Sequence, residues 1–142
     1  MLKAAAAVTM LLMASLAHAQ SPADVVRAWG LIGKWKVDCA APDDKGANSP
    51  IIYRIEPDGK PVYENLVATS DVLEAKDNSN GTITLQLHHF RPKDEVRTLV
   101  IEKVGNGIRA LMNRSDRNEY SIRDGILLPT GKEMPVIQKC EG

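Results

Sequence analysis

The sequence is poor in aromatic side chains: two tryptophans, three tyrosines and one phenylalanine stand among 142 residues. So few rings make a modest lining for any pocket, and aliphatic residues must supply most of the core. Neither charge is in excess, since 18 lysines and arginines face 18 aspartates and glutamates. A balanced surface exerts no long-range pull on a polyanion, so no nucleic-acid partner is expected. Cysteine is scarce, with Cys39 and Cys140 alone. That excludes a scaffold held by many disulfides, and no cluster of other ligands near either thiol suggests a metal. Beyond residue 20 no apolar run approaches membrane-spanning length. Repeats and low-complexity tracts are missing too. There is no G-x-S-x-G elbow, and Gly105-x-Gly107 lacks the strand–turn–helix context of a phosphate loop. These gaps point away from catalysis: no catalytic residue, no cofactor and no metal site is assigned.

The first 19 residues, MLKAAAAVTMLLMASLAHA, are of another kind. Lys3 and the amino terminus form a positive head, residues 4–17 an uncharged Ala/Leu/Met core, and Ala17-His18-Ala19 an A-x-A cleavage site. This is the layout of a bacterial-type signal peptide spanning 1–19. It leaves 20–142 as a single domain without an integral membrane span, bound for the periplasm or secreted. In an oxidising compartment Cys39 and Cys140 are expected to pair. Their bridge would close a loop of about 100 residues, worth ~4–5 kcal/mol in the chain-entropy model. It would also tie the first strand to the last, as neighbours in a closed barrel are tied.

The pattern after the signal is helix, then strands. Ser21 is a candidate N-cap, Pro22 sits at N1, and Val25, Val26 and Trp29 share one helical face. That predicts a short helix over 22–30. Beyond Gly33 the period drops to two. Trp35, Val37 and Cys39 point one way, as do Ile51, Tyr53 and Ile55, and again Ile83, Leu85, Leu87 and His89. Turns are expected at 56–60, 77–81, 91–95, 105–107, 115–118 and 124–125, and a last strand at 134–140. Along 96–100, Val96, Thr98 and Val100 read as the inward set, with Arg97 outward. Val37, Val100 and Met112 are expected inside. The fold class is all-β: a small antiparallel up-and-down β-barrel of roughly eight to ten short strands with a short N-terminal helix.

Gly33-Lys34-Trp35, a glycine and a tryptophan at the start of the first strand behind a short helix, resembles the N-terminal signature of the lipocalins and their calycin relatives. The avidins are similar in this respect. The resemblance implies a lipocalin-like barrel with the tryptophan covering its base, but it assigns no activity. The second lipocalin signature, a Thr-Asp-Tyr-like turn, has no match; the nearest text is Thr69-Ser70-Asp71.

Few residues carry chemistry. His88 and His89 are adjacent on a strand and so face opposite ways; they cannot share a ligand. Asp43-Asp44, Asp94-Glu95 and Asp116 read as solvated turn charge. The interior positions Trp35, Tyr53, Leu85, Leu87 and His89 are the candidate ligand-binding set, with Tyr53 and His89 as polar handles. Two functions compete. One is an exported barrel that binds a small apolar or amphipathic molecule. The other is a filled, ligand-free barrel acting as a structural module or binding an envelope or secreted protein. Ile126, Leu127, Leu128 and Met134 are candidates for such a surface.

Overall fold

The computed structural model describes residues 19–141, so residues 1–18 of the expected signal peptide lie outside the described residues. One helix, α1 (Pro22–Trp29), precedes eleven strands: β1 (Gly33–Lys36), β2 (Ile51–Ile55), β3 (Pro61–Glu64), β4 (Thr69–Asp77), β5 (Thr82–His89), β6 (Glu95–Val104), β7 (Gly107–Ser115), β8 (Tyr120–Arg123), β9 (Ile126–Leu127), β10 (Lys132–Glu133) and β11 (Ile137–Cys140). Eight of them close a ring: β1 to β7 pair in sequence order, save that β1 meets β7 through β11. Every pairing is antiparallel. The ring joins β1 to β7 and β11 side by side, and β8, β9 and β10 branch off β7 as a small meander that ends in the edge strand β10.

Helix α1 forms as its sequence dictates. The Ser21 hydroxyl accepts from the Asp24 amide at 3.2 Å, while the Asp24 carboxylate reaches back to Ser21. Gly30 ends the helix with φ at +88°. Val25, Val26 and Trp29 turn inward, and Leu31 just beyond is fully buried. The Trp35 indole donates to the Leu31 carbonyl at 2.8 Å, which fixes the passage from helix to strand. With Ile83, Leu85, Leu87, Leu99 and Ile101 these residues form one continuous apolar core. The hairpin turns after β2, β4 and β6 lie at the end where α1 enters β1; this is the lower end. Two lysines lie over its rings, Lys103 with its ammonium 4.5 Å from Trp29 and Lys139 with its ammonium 5.3 Å from Trp35. Gly33, at φ +140°, leaves room for Lys139, whose chain an added Cβ would meet at 3.0 Å.

Four expectations are corrected. First, β1 stops at Lys36, so Val37 and Cys39 do not continue its inward face; both are exposed. The chain folds back over the outer wall instead. Lys36, only 3% exposed, holds Asp43 at 2.8 Å, and Lys34 holds the same carboxylate. Asn48 ties the loop internally through Asp38 and Pro42. Cys39 bonds Cys140 on that outer surface, with Cα atoms 5.4 Å apart, so the disulfide spans 101 positions from outside the barrel. Second, Val96, Thr98 and Val100 are not the inward set of β6. Leu85 opposes Leu99, Ile83 opposes Ile101 and Leu87 opposes Arg97, so Arg97 points inward. Third, Met112 is outward with Val100, because a bulge at Leu111 advances β7 by one residue and turns Asn113 inward. Fourth, Glu95 is not a solvated turn charge. It opens β6, 11% exposed at its side chain, and pairs with Arg97 at 2.7 Å.

Candidate functional site

The upper half of the barrel wall divides. Along one edge β7 pairs first with β11, through Ile108 to Ile137 and Gly107 to Gln138. It then pairs with β8, through Asn113 to Ile122 and Arg114 to Tyr120. Among the described residues, Ala110 between these ladders has no strand partner on that edge. A slit follows, with the β1–β2 connection on one bank and the β9–β10 flap on the other. The flap is held to its neighbours by Met134 N–H on Gly125 O at 2.7 Å and Leu128 N–H on Ser121 O at 2.9 Å. Gly107 allows the short β7–β11 closure. A Cβ there would lie 2.6 Å from the Ile137 carbonyl oxygen and 2.6 Å from Val136.

Two hollows meet at the slit. Inside is a void of about 100 Å³ lined by Tyr53, Tyr63, Leu99, Ile101, Asn113 and neighbours. Outside is a cleft of about 540 Å³ bounded by Val37, Ala47, Leu127, Thr130, Lys132 and neighbours. Ile51, Ala110, Met134 and Ile137 line both. These four residues border the void and the cleft alike. The walls are mainly aliphatic, so burial of apolar surface would be the source of affinity there.

The polar groups lie above and behind the void. The rings of Tyr53 and Tyr63 meet edge to face with centroids 5.5 Å apart, and His89 stands 6.4 Å beyond Tyr63. Burial pushes both phenols upward in pKa, the Tyr53 phenol well above its ordinary value, so both stay neutral donors. The Tyr63 oxygen accepts from Asn65 at 3.2 Å, leaving its proton free to donate. His89 Nδ1 lies 2.7 Å from the hydroxyl of fully buried Ser70. The two share a hydrogen bond, and the other ring nitrogen, Nε2, is a buried atom with no partner among the described residues. Burial holds the His89 pKa below 6.5, with Arg97 adding to the effect. Arg97 in turn donates to Asn113, to Glu95 and, at 3.2 Å, to Ser121. Its guanidinium holds the Glu95 carboxyl below the usual range.

Of the five residues expected to form a site, Tyr53 lines the void. Trp35 lies in the lower core, Leu85 and Leu87 are packed within the wall, and His89 sits behind Tyr63. Sequence reasoning missed Ala110, Asn113 and Ile137 because of the Leu111 bulge and the branching of β7. Tyr63 was legible, as the residue opposite Tyr53 across a turn. His88 does face away from His89, toward Asp94. Among the described residues no three His, Cys, Asp or Glu side chains converge as a metal site would need, and no helix is long and apolar enough to cross a membrane. No protein-family model, curated protein or solved structure matches this chain.

Proposed function

We propose that this protein is an exported carrier of a small, mostly apolar molecule, a lipocalin-like barrel without catalytic activity of its own. The observation that carries the reading is the junction of the inner void with the outer cleft at Ile51, Ala110, Met134 and Ile137. The apolar body of the ligand lies in the cleft, and its narrow end passes Ala110 toward Tyr53 and Tyr63. A phenol that keeps its proton offers a hydrogen bond to a carbonyl, ether or carboxylate at that end. The unpartnered Nε2 of His89 is the reserve polar atom behind Tyr63. This places the ligand at the side of the barrel rather than along Trp35, Leu85 and Leu87. Kinship with lipocalins rests on Gly33-Lys34-Trp35, the base helix and the closed eight-stranded ring. Export to the periplasm or medium rests on the sequence of residues 1–19.

Native mass spectrometry of protein purified from its own source tests this reading. A co-purifying small molecule, released on denaturation and lost in Ala110→Trp, is the expected result. A clean apoprotein that also takes up no lipid or aromatic acid on incubation would leave the filled, protein-binding barrel as the better account.

A further inference from the structure

The upper rim carries a second surface, apart from the cleft. The β3–β4 tip exposes Leu66 and Val67, and the β5–β6 connection exposes Phe90, at 45%, 83% and 52%. These residues border one shallow groove together with Arg91. Such a cluster of large apolar side chains in solvent is unfavourable unless something covers it.

Charge decides what that something is. Of the anions nearby, Glu64 pairs with Arg54 and Glu95 with Arg97 and Arg117, while Asp94 meets the His88 imidazole. Asp116 accepts from the Val96 amide. Arg91 and Lys93 are exposed and form no ion pair among the described residues. An apolar tip beside free cations complements a layer that is apolar inside and anionic at its face. The backbone of the tip is also prepared for low polarity. The Asn65 side-chain oxygen accepts from the amides of Val67 and Ala68, each at 2.9 Å, and the Asn65 amide donates to the Ala68 carbonyl at 3.0 Å. With the Asn65, Val67 and Ala68 amides paired internally, the tip carries fewer unsatisfied peptide groups into a lipid interface.

We infer that the Leu66-Val67 and Phe90 tips, flanked by Arg91 and Lys93, dock this protein on a lipid membrane surface bearing anionic headgroups. The apolar side chains enter the headgroup boundary and the two cations remain at phosphate level. The inference is independent of what occupies the cleft, because none of these residues lines it.

Flotation of the purified protein with phosphatidylcholine vesicles, with and without about 30% phosphatidylglycerol, tests it under conditions of surface-charge attraction. Binding is expected on the anionic vesicles, with weakening as salt rises. Val67→Asp with Phe90→Asp should lower the bound fraction about tenfold or more, and Arg91→Gln with Lys93→Gln by about tenfold. All the substituted side chains are exposed, so an unchanged thermal melt confirms that each variant is folded. No binding, equal binding to neutral vesicles, or binding indifferent to both double variants overturns the inference. So does a wild-type dimer that Val67→Asp converts to monomer, since a second copy would then be the cover.

Discussion

The two ends of this barrel solve opposite problems with the same eight strands. At the lower end, α1 lays Val25, Val26 and Trp29 across the base, Leu31 and Trp35 fill it, and Lys103 and Lys139 lie over the rings. Among the described residues no buried side-chain nitrogen or oxygen there lacks a partner. At the upper half, β7 leaves β11 for β8, the wall splits beside Ala110, and the interior holds Tyr53, Tyr63, Ser70, His89, Glu95, Arg97 and Asn113. The lower end is organised for stability. The upper end keeps a void, an unpartnered imidazole nitrogen and an ion pair, none of which a barrel needs in order to fold. Stability and binding are therefore separable by position, and substitutions should sort accordingly.

The largest effect belongs to the base. Trp35→Ala removes a buried ring and the indole bond to Leu31, and should cost ~3–5 kcal/mol in chemical denaturation. If the variant loses under about 1 kcal/mol, the base is not the sealed core described. Cys140→Ser comes next. The bridge lies outside the barrel but spans most of the fold, so its loss should cost ~2–4 kcal/mol, while free-thiol titration of the denatured, unreduced wild type should find no thiol.

Gly107→Ala tests the line between the two regions. Its methyl group meets backbone as well as side chain, so β7 and β11 must part, at about 1–3 kcal/mol. Hydrogen exchange should quicken first at Ile108 and Ile137, with β4 and β5 unaffected; uniform quickening would mean that the barrel unfolds as one.

How much of this the sequence discloses follows the same division. Alternation exposes the inward faces of β2 and β5, the capping residues of α1 are written in SPAD, and two lone cysteines behind a signal-like first segment suffice to predict their pairing. Gly33-Lys34-Trp35 marks the base. What stays hidden are the places where period two breaks. The bulges at Leu73 and Leu111 shift β4 and β7 by one residue, and simple parity beyond a bulge puts Met112 inside in place of Asn113. β6 was ambiguous alone, because Arg97, Leu99 and Ile101 alternate with Val96, Thr98 and Val100, two faces of similar apolar content. Only pairing with β5 settles it. The slit depends on one strand having two successive neighbours, which no local pattern records.

Smaller effects belong to the upper half. His89 takes up its proton at lower pH when folded than when unfolded, so its contribution is complete above about pH 6.5 and declines as the pH falls below that value. Glu95 adds a loss further down, since its contribution is present above about pH 4.5 and disappears as the pH falls through its lowered folded value. His89→Asn should flatten the stability profile just below about pH 6.5 and leave the later fall due to Glu95 in place. An unchanged slope would mean that His89 is not a buried neutral group. Tyr53→Phe should change stability by less than about 0.5 kcal/mol, since a hydroxyl facing a void contributes little to the fold, yet it should weaken ligand binding.

Isothermal titration of the wild type and Ala110→Trp with medium-chain fatty acids, isoprenoid alcohols and aromatic acids tests the central claim most directly. Ala110 lines both hollows, and an indole at that position fills the passage between them. The account predicts saturable one-to-one binding to the wild type for at least one class, with a negative heat-capacity change from apolar burial, weakened at least about tenfold in a variant whose melting temperature is close to wild type. Equal affinity in the two proteins, or no binding by the wild type to any of these molecules, would contradict it.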